Sequence, residues 1–268
     1  MCAGASGAIL GLGGGMLLVP ILTMFFSVDI HYAMGASIVS VIATSSGAAA
    51  AYLKSGLSNV RIGLFLVMAT TVGAITGASL AGLVSVRGLE FILACALGHA
   101  AITMARQLNV ELPGDVPDNR WAKRYSLEGV YYDVPLGRDV RYHATHVGRG
   151  FAAMFGAGML SGLLGIGSGA LKVLAMDHFM RLPMKVSTAT SNFMIGITAA
   201  ASAAVYFRHG DIHPILASPV AVGVLIGAHL GTRILSRLRN VTVRRAFLPV
   251  LLYLAVSLLF RSLGWKFL

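Results

Sequence analysis

Charged residues are so sparse along this chain that they leave eight long uncharged, mostly apolar runs: 1–28, 32–53, 62–86, 91–105, 150–171, 186–207, 212–232 and 246–260. About 20 apolar residues at a rise of 1.5 Å each cross the hydrocarbon core of a bilayer, so most of these runs predict membrane spans. Two of them, 91–105 and 246–260, hold only 15 residues by this strict cut. Tilted crossings, polar-ended crossings and segments that enter without leaving all stay open for these two. Inside lipid every backbone N–H and C=O needs an internal partner, which leaves helices or closed barrels, and the runs lack the alternation of barrel strands. The expected fold is therefore all-α: a polytopic integral membrane protein of about eight transmembrane helices.

The pattern repeats. At an offset of 154 residues Gly4 pairs with Gly158, Leu10 with Leu164, and Gly11, Gly13 and Gly15 with Gly165, Gly167 and Gly169. The register continues through Tyr52 and Tyr206, Lys54 and Arg208, Gly56 and Gly210, Gly73 and Gly227, and Gly77 and Gly231. Two transmembrane repeats, 1–105 and 150–268, flank a polar insert at 106–149, in which 129–133 and 139–143 predict a hairpin around Pro135-Leu-Gly137. Duplication of this kind is common in secondary transporters, whose substrate sites lie near the midplane between repeats; a duplicated structural bundle is the plainer alternative. Four crossings per half make the repeats parallel, and one re-entrant segment per half makes them inverted. Fewer residues precede Gly11 than its mate Gly165, so either the first helix is short or the natural start lies upstream.

Composition supports a membrane rather than an aqueous setting: of 268 residues, 56% are hydrophobic and 12% charged, against about a quarter charged in soluble domains. The net charge of +11 is not a nucleic-acid signature. Between Arg106 and Arg149 seven Lys/Arg face six Asp/Glu, and the excess sits in short loops and span ends, where basic residues set topology and meet anionic lipid. Cys2 and Cys95 form no disulfide framework or metal-type spacing. No basic leader precedes the first apolar stretch, which predicts that the first helix serves as the membrane signal.

Candidate chemistry concentrates in three places. Gly11-Leu-Gly13-Gly14-Gly15 and Gly165-Ile-Gly167-Ser168-Gly169 occupy equivalent positions, and glycines at such density cost a helix about 1 kcal/mol each relative to alanine. They predict helix breaks whose N–H groups and dipole ends favour an anion, unless they serve only close helix packing; for Gly73, Gly77, Gly227 and Gly231 packing is the expectation. Ser37, Ser40, Thr44, Ser45 and Ser46 in one half and Ser187, Thr188, Thr190, Ser191 and Asn192 in the other offer neutral donors for an oxyanion, although such hydroxyls often bond their own backbone. Lys172, three residues past the second cluster, either supplies positive charge for an anion or snorkels or pairs with Asp177. His209, Asp211 and His213 are ligand-type residues in a short loop that lacks the rest of a metal shell. No HExxH, GxSxG or Walker lysine is present, so neither an enzyme nor a bound cofactor is expected.

These motifs together resemble the sulfite exporter TauE/SafE family, also described as sulfonate uptake permeases. The likeness runs through GAILGLGGGMLLVPIL, AMGASIVSVIATSSGAAAAYLKSG and SGLLGIGSGALKVLAMDHFMRLPMKVSTATSNFMIGITAAASAAVYFRHG. The resemblance implies a multi-pass secondary carrier of the cytoplasmic membrane for sulfite, a sulfonate or a related anion, in contact with lipid and without nucleic-acid partners. The expected substrate-binding residues are Gly13, Gly14, Gly15, Ser37, Gly167, Ser168, Gly169, Lys172, Thr190, Ser191 and Asn192, with no metal. Direction, coupling ion and a homodimeric state stay open. The rivals are a channel-like or structural membrane protein and a membrane-embedded metal-dependent enzyme.

Overall fold

A computed structural model describes every residue except 12, 16, 17, 19–21, 23–25, 29, 81–85, 107–119, 165–168, 211 and 264–268. In chain order it contains α1 (Cys2–Leu10), α2 (Ile30–Lys54), α3 (Val60–Leu80), α4 (Val86–Arg106), α5 (Arg120–Arg124), β1 (Glu128–Asp133), β2 (Arg138–His143), α6 (Val147–Leu164), α7 (Gly169–Leu174) with a π-helical continuation Ala175–Phe179, α8 (Met184–His209), α9 (Pro214–Arg237) and α10 (Asn240–Ser262). The chain is a multi-pass helical membrane protein, as its apolar runs predict. Windows within α2, α3, α9 and α10 are both long and apolar enough to cross a bilayer. In α8 the early part is polar, with Lys185, Ser187, Thr188, Thr190, Ser191 and Asn192 all buried; that face looks into protein rather than lipid.

The first apolar run of each half is not a simple crossing. In the first, Gly11 ends α1 in the left-handed conformation, and the chain reverses: Gly14 lies against Ala3 and Gly4, and Leu18 packs with Ala3. In the second, Thr145 donates to the Met180 carbonyl from its amide (3.0 Å) and its hydroxyl (3.2 Å), so α6 and the α7–π segment start and finish on one side. Each is a helical hairpin that enters and returns. A glycine hairpin and a spanning helix share the same composition, which is why hydropathy alone leaves them undivided.

The remaining long helices, α2, α3, α4, α8, α9 and α10, have 21 to 26 residues, about 31–39 Å at 1.5 Å per residue. Asn59, in the α2–α3 turn, donates to Glu128 and Tyr142 of the β-hairpin, which puts that turn on the insert's side. Tyr32 and His213 meet edge to face at 4.6 Å, which puts the starts of α2 and α9 together at the other end. With these anchors, α2, α3 and α4 of one half and α8, α9 and α10 of the other run between the same two ends of the bundle, and the two hairpins open at opposite ends; the halves are thus arranged in inverted order.

Packing follows the 154-residue offset atom group by atom group. Helix α1 packs on α9 and α6 on α3, α2 crosses α8, and α4 lies on α10. A Cβ at Gly73 would strike the backbone of Phe155 and Met159, and one at Gly227 would strike Met1 and Ala5; Gly77 and Gly231 stand against Met159 and Ala5, and Gly158 and Gly4 against Thr70 and Val224. Each contact has its mate 154 residues away. The small residues thus let helix backbones touch between halves, as expected of a small-xxx-small seam. Large apolar side chains such as Leu64, Met68, Val72 and Ile75 of α3, and Val222, Ile226 and Leu230 of α9, point outward, forming stripes that water would penalise and lipid does not.

The insert folds as expected into an antiparallel hairpin, Glu128 opposite His143 and Asp133 opposite Arg138. It does not hang free. Tyr131, Val140 and Tyr142 join the main core together with Leu182, Met184 and Val186 at the start of α8. Burial raises the Tyr142 phenol above its ordinary pKa, opposed in part by the Asn59 hydrogen bond, so it stays an uncharged hydroxyl. Asp133 accepts from Lys185 at 3.0 Å on both carboxylate oxygens, and from the Tyr131 hydroxyl at 3.1 Å. Both charged side chains are almost fully buried, at 0% and 1% exposure. Removing one partner of such a pair leaves a desolvated charge, so Asp133→Ala is expected to cost about 3–5 kcal/mol. Asp133→Ala combined with Lys185→Met should recover most of that loss; thermal or denaturant unfolding of the detergent-solubilised protein measures both.

Candidate functional site

The glycine turn of the first hairpin and Gly169 of the second meet between the crossed helices α2 and α8. Gly11, Gly13 and Gly14 all have positive φ, at 70°, 68° and 76°, a conformation that glycine adopts at little cost. The first turn is wedged on both sides. Gly11 faces Val173 and Thr188, while a Cβ at Gly13 would meet Ile195 at 3.0 Å, Val41 at 3.2 Å and Ser45 Oγ at 3.3 Å. Of the second cluster, Gly169 begins α7 and is buried; Gly167 and Ser168 lie outside the described residues, as does Asp211 of the loop triad.

The hydroxyl clusters hold these turns. Ser37 Oγ donates to the Gly15 carbonyl at 3.1 Å. Its offset mate Ser191 reaches the Gly169 carbonyl at 3.3 Å and also the Gly11 carbonyl at 3.0 Å. One side chain of α8 therefore touches both hairpin tips. Thr190 accepts from the Asn59 amide at 3.1 Å and ties the α2–α3 turn to α8, while Ser40 and Thr44 bond their own helix at 2.8 Å each.

Asn192 has a different role from the donor that its position suggests. Its amide nitrogen gives both hydrogens to carbonyls, Ala8 at 2.9 Å and Thr188 at 3.1 Å, clamping the end of α1 onto α8. Two carbonyl acceptors fix that orientation, since a flipped amide would set oxygen against oxygen. Among the described residues Asn192 Oδ1 is left buried without a hydrogen-bond partner, as are Ser45 Oγ, Ser187 Oγ and Thr188 Oγ1. Buried polar atoms in that condition are uncommon and mark places where a ligand or water belongs. Among these hydroxyls, Ser45 lines the first turn and Thr188 stands one helical turn from Asn192.

Lys172 is the charged group of the site. It is fully buried, and among the described residues its ammonium donates to Thr198 Oγ1 at 2.9 Å and meets no carboxylate. It neither snorkels nor pairs with Asp177. The Thr198 hydroxyl in turn donates to the Met194 or Ile195 carbonyl, both at 3.1 Å. The importance of Thr198 escapes motif reading, although it is the offset mate of Thr44; Lys172 itself has Leu18 in the equivalent place. No cluster of three metal-type ligands occurs among the described residues.

A family model described as sulfite exporter TauE/SafE matches residues 1–258. The chain is 25% identical over 275 residues to the probable membrane transporter protein YunE of Bacillus subtilis (strain 168), covering 98% of this chain and 96% of the relative. It is 24% identical over 237 residues to the probable membrane transporter protein YdhB of the same organism, covering 88% of each. A probable membrane transporter protein of Xylella fastidiosa (strain Temecula1 / ATCC 700964) is 23% identical over 257 residues, covering 95% of this chain and 90% of the relative. No solved structure matches.

Crowding at the first turn leads to a direct test. Gly13→Ala combines a positive φ with contacts of 3.0–3.3 Å on two helices and is expected to cost on the order of 1–3 kcal/mol. Gly98→Ala, in a helix with nothing within 4 Å of the added carbon, should be neutral or slightly stabilising. Parallel thermal unfolding of the two variants and the parent chain reads the difference.

Proposed function

This chain belongs to the sulfite exporter TauE/SafE family, a family of membrane transporters, and we propose that it carries a small sulfur-containing anion, sulfite or a sulfonate, across the cell membrane by alternating access. The observation that carries the anion assignment is Lys172. A buried ammonium that among the described residues has only the Thr198 hydroxyl as a hydrogen-bond partner is costly in a membrane protein, and an anionic solute is the partner that offsets this cost. The glycine turns and the unpartnered hydroxyls of Ser45, Ser187 and Thr188 supply neutral donors suited to sulfonyl oxygens. Gly13, Gly14 and Gly15 shape the first turn and Gly169 opens the return arm of the second hairpin, and Ser37, Thr190, Ser191 and Asn192 hold them in place around the solute.

The inverted order of the halves suits the mechanism. Two conformations related by exchanging the roles of the halves expose one central site first to one side and then to the other. Charge sets the energetics: an inside-negative potential favours export of a monovalent anion by about 2.3 kcal/mol per 100 mV, so export needs no coupling ion and uptake does.

Uptake of labelled sulfite and a panel of sulfonates into proteoliposomes, with a potential imposed in either sign, tests this reading. Saturable flux that reverses its preference with the sign of the potential is expected for at least one anion. Flux that rises linearly with concentration would favour a channel, and absence of flux across the panel would remove the sulfur-anion assignment. Lys172→Glu should abolish transport, and Lys172→Met should raise the half-saturating concentration by about 10- to 100-fold, the worth of a charge-assisted hydrogen bond.

A further inference from the structure

With the chain path settled by the two hairpins, the basic residues sort by side. Lys54 and Arg61 flank the α2–α3 turn, seven Lys/Arg run from Arg106 to Arg149 in and beside the insert, Arg181 and Lys185 lie between the second hairpin and α8, and five from Arg233 to Arg245 surround the α9–α10 turn. All sixteen belong to the insert's side. Only Arg87, Arg208 and Arg261 stand at the opposite ends of the described helices. Eight simple crossings would scatter the same residues over both sides, so the asymmetry emerges only when the first segment of each half returns to its own side.

We propose that the face bearing the β-hairpin is the cytoplasmic face, seated against the anionic headgroups of the inner leaflet. Short loops rich in Lys/Arg are retained on the cytoplasmic side, and juxtamembrane basic residues gain about 1 kcal/mol each near an anionic leaflet. The exposed Trp121 and Tyr125, stacked on one another and continued through Phe65 to Phe151, form an aromatic group of the kind that settles at headgroup level. Both ends of the described chain then face outward, with α10 finishing on the external side.

Asp133 and Lys185 tie the hairpin to the first turn of α8, two residues before Ser187, so hairpin and helix bundle share this face. The orientation does not rest on the carrier reading above.

Single cysteines at Arg138 on the hairpin and at His213 at the far end, each in a Cys2→Ser/Cys95→Ser background of the full chain, test the orientation in bacterial cells. A membrane-impermeant maleimide should label the His213→Cys chain in intact cells and the Arg138→Cys chain only after the membrane is opened. Labelling of the Arg138 position in intact cells, alone or with the His213 position, overturns the proposal. Protection of both until opening overturns it as well. Because labelling needs no substrate, loss of the sulfur-anion assignment would leave this result standing.

Discussion

A helix broken in hydrocarbon leaves backbone groups that no water can satisfy, and the architecture of this protein is organised around that constraint. In each half a glycine of the hairpin is held by a serine hydroxyl from the long helix that follows it, Ser37 on Gly15 and Ser191 on Gly169. Ser191 extends the arrangement by reaching Gly11 of the other half, and Asn192 adds a second clamp on Ala8. Neither hairpin could keep its break in lipid without the opposite half beside it. The cross-packing of α1 on α9 and α6 on α3 follows from the same need, because glycines at 73, 77, 227 and 231 let backbones approach closely enough to exclude lipid around the turns.

The near-symmetry of the frame makes its departures informative. Contacts of the packing seam recur at the offset to within single residues, and so do Ser37 with Ser191 and Thr44 with Thr198, whereas several polar groups at the centre do not. Lys172 answers to Leu18, Asn192 to Ile38 and Thr188 to Met34. The scaffold is shared between halves and the chemistry is concentrated in the second. In a carrier that exchanges the roles of its halves, one charged group serves both orientations, provided that it sits near the pseudo-symmetry axis; two would double the desolvation cost that the solute has to offset.

Much of this was legible from residues. The 154-residue register, the packing role of Gly73 and Gly227, the hairpin around Pro135 and the helix break at Gly11 all follow from local rules about glycine, turns and hydropathy. Three things were not. Re-entry of the first segment in each half leaves no compositional trace, since both arms are as apolar as a span. Asp133 and Lys185 are 52 residues apart, one in the hairpin of the insert and the other at the start of α8, and no local pattern pairs them. The two backbone carbonyls that take up the Asn192 amide hydrogens are likewise absent from the local sequence pattern, which shows an amide but not its partners.

The placement of the basic residues depends on whether the first segment of each half crosses or returns. If every apolar run crosses, Lys54 and Arg61 fall on the side opposite the arginines of the α9–α10 turn, and no orientation minimises the cost of translocating charge. Once the hairpins return to their own sides, the α2–α3 turn, the insert, the start of α8 and the α9–α10 turn converge on one face. The same fold correction that inverts the halves also unites the positive charge. A single topological change that resolves two independent difficulties, repeat orientation and charge placement, is stronger than either observation alone, because glycine turns and loop arginines answer to different physical forces: backbone hydrogen bonding in hydrocarbon for the first, the membrane's charge asymmetry for the second.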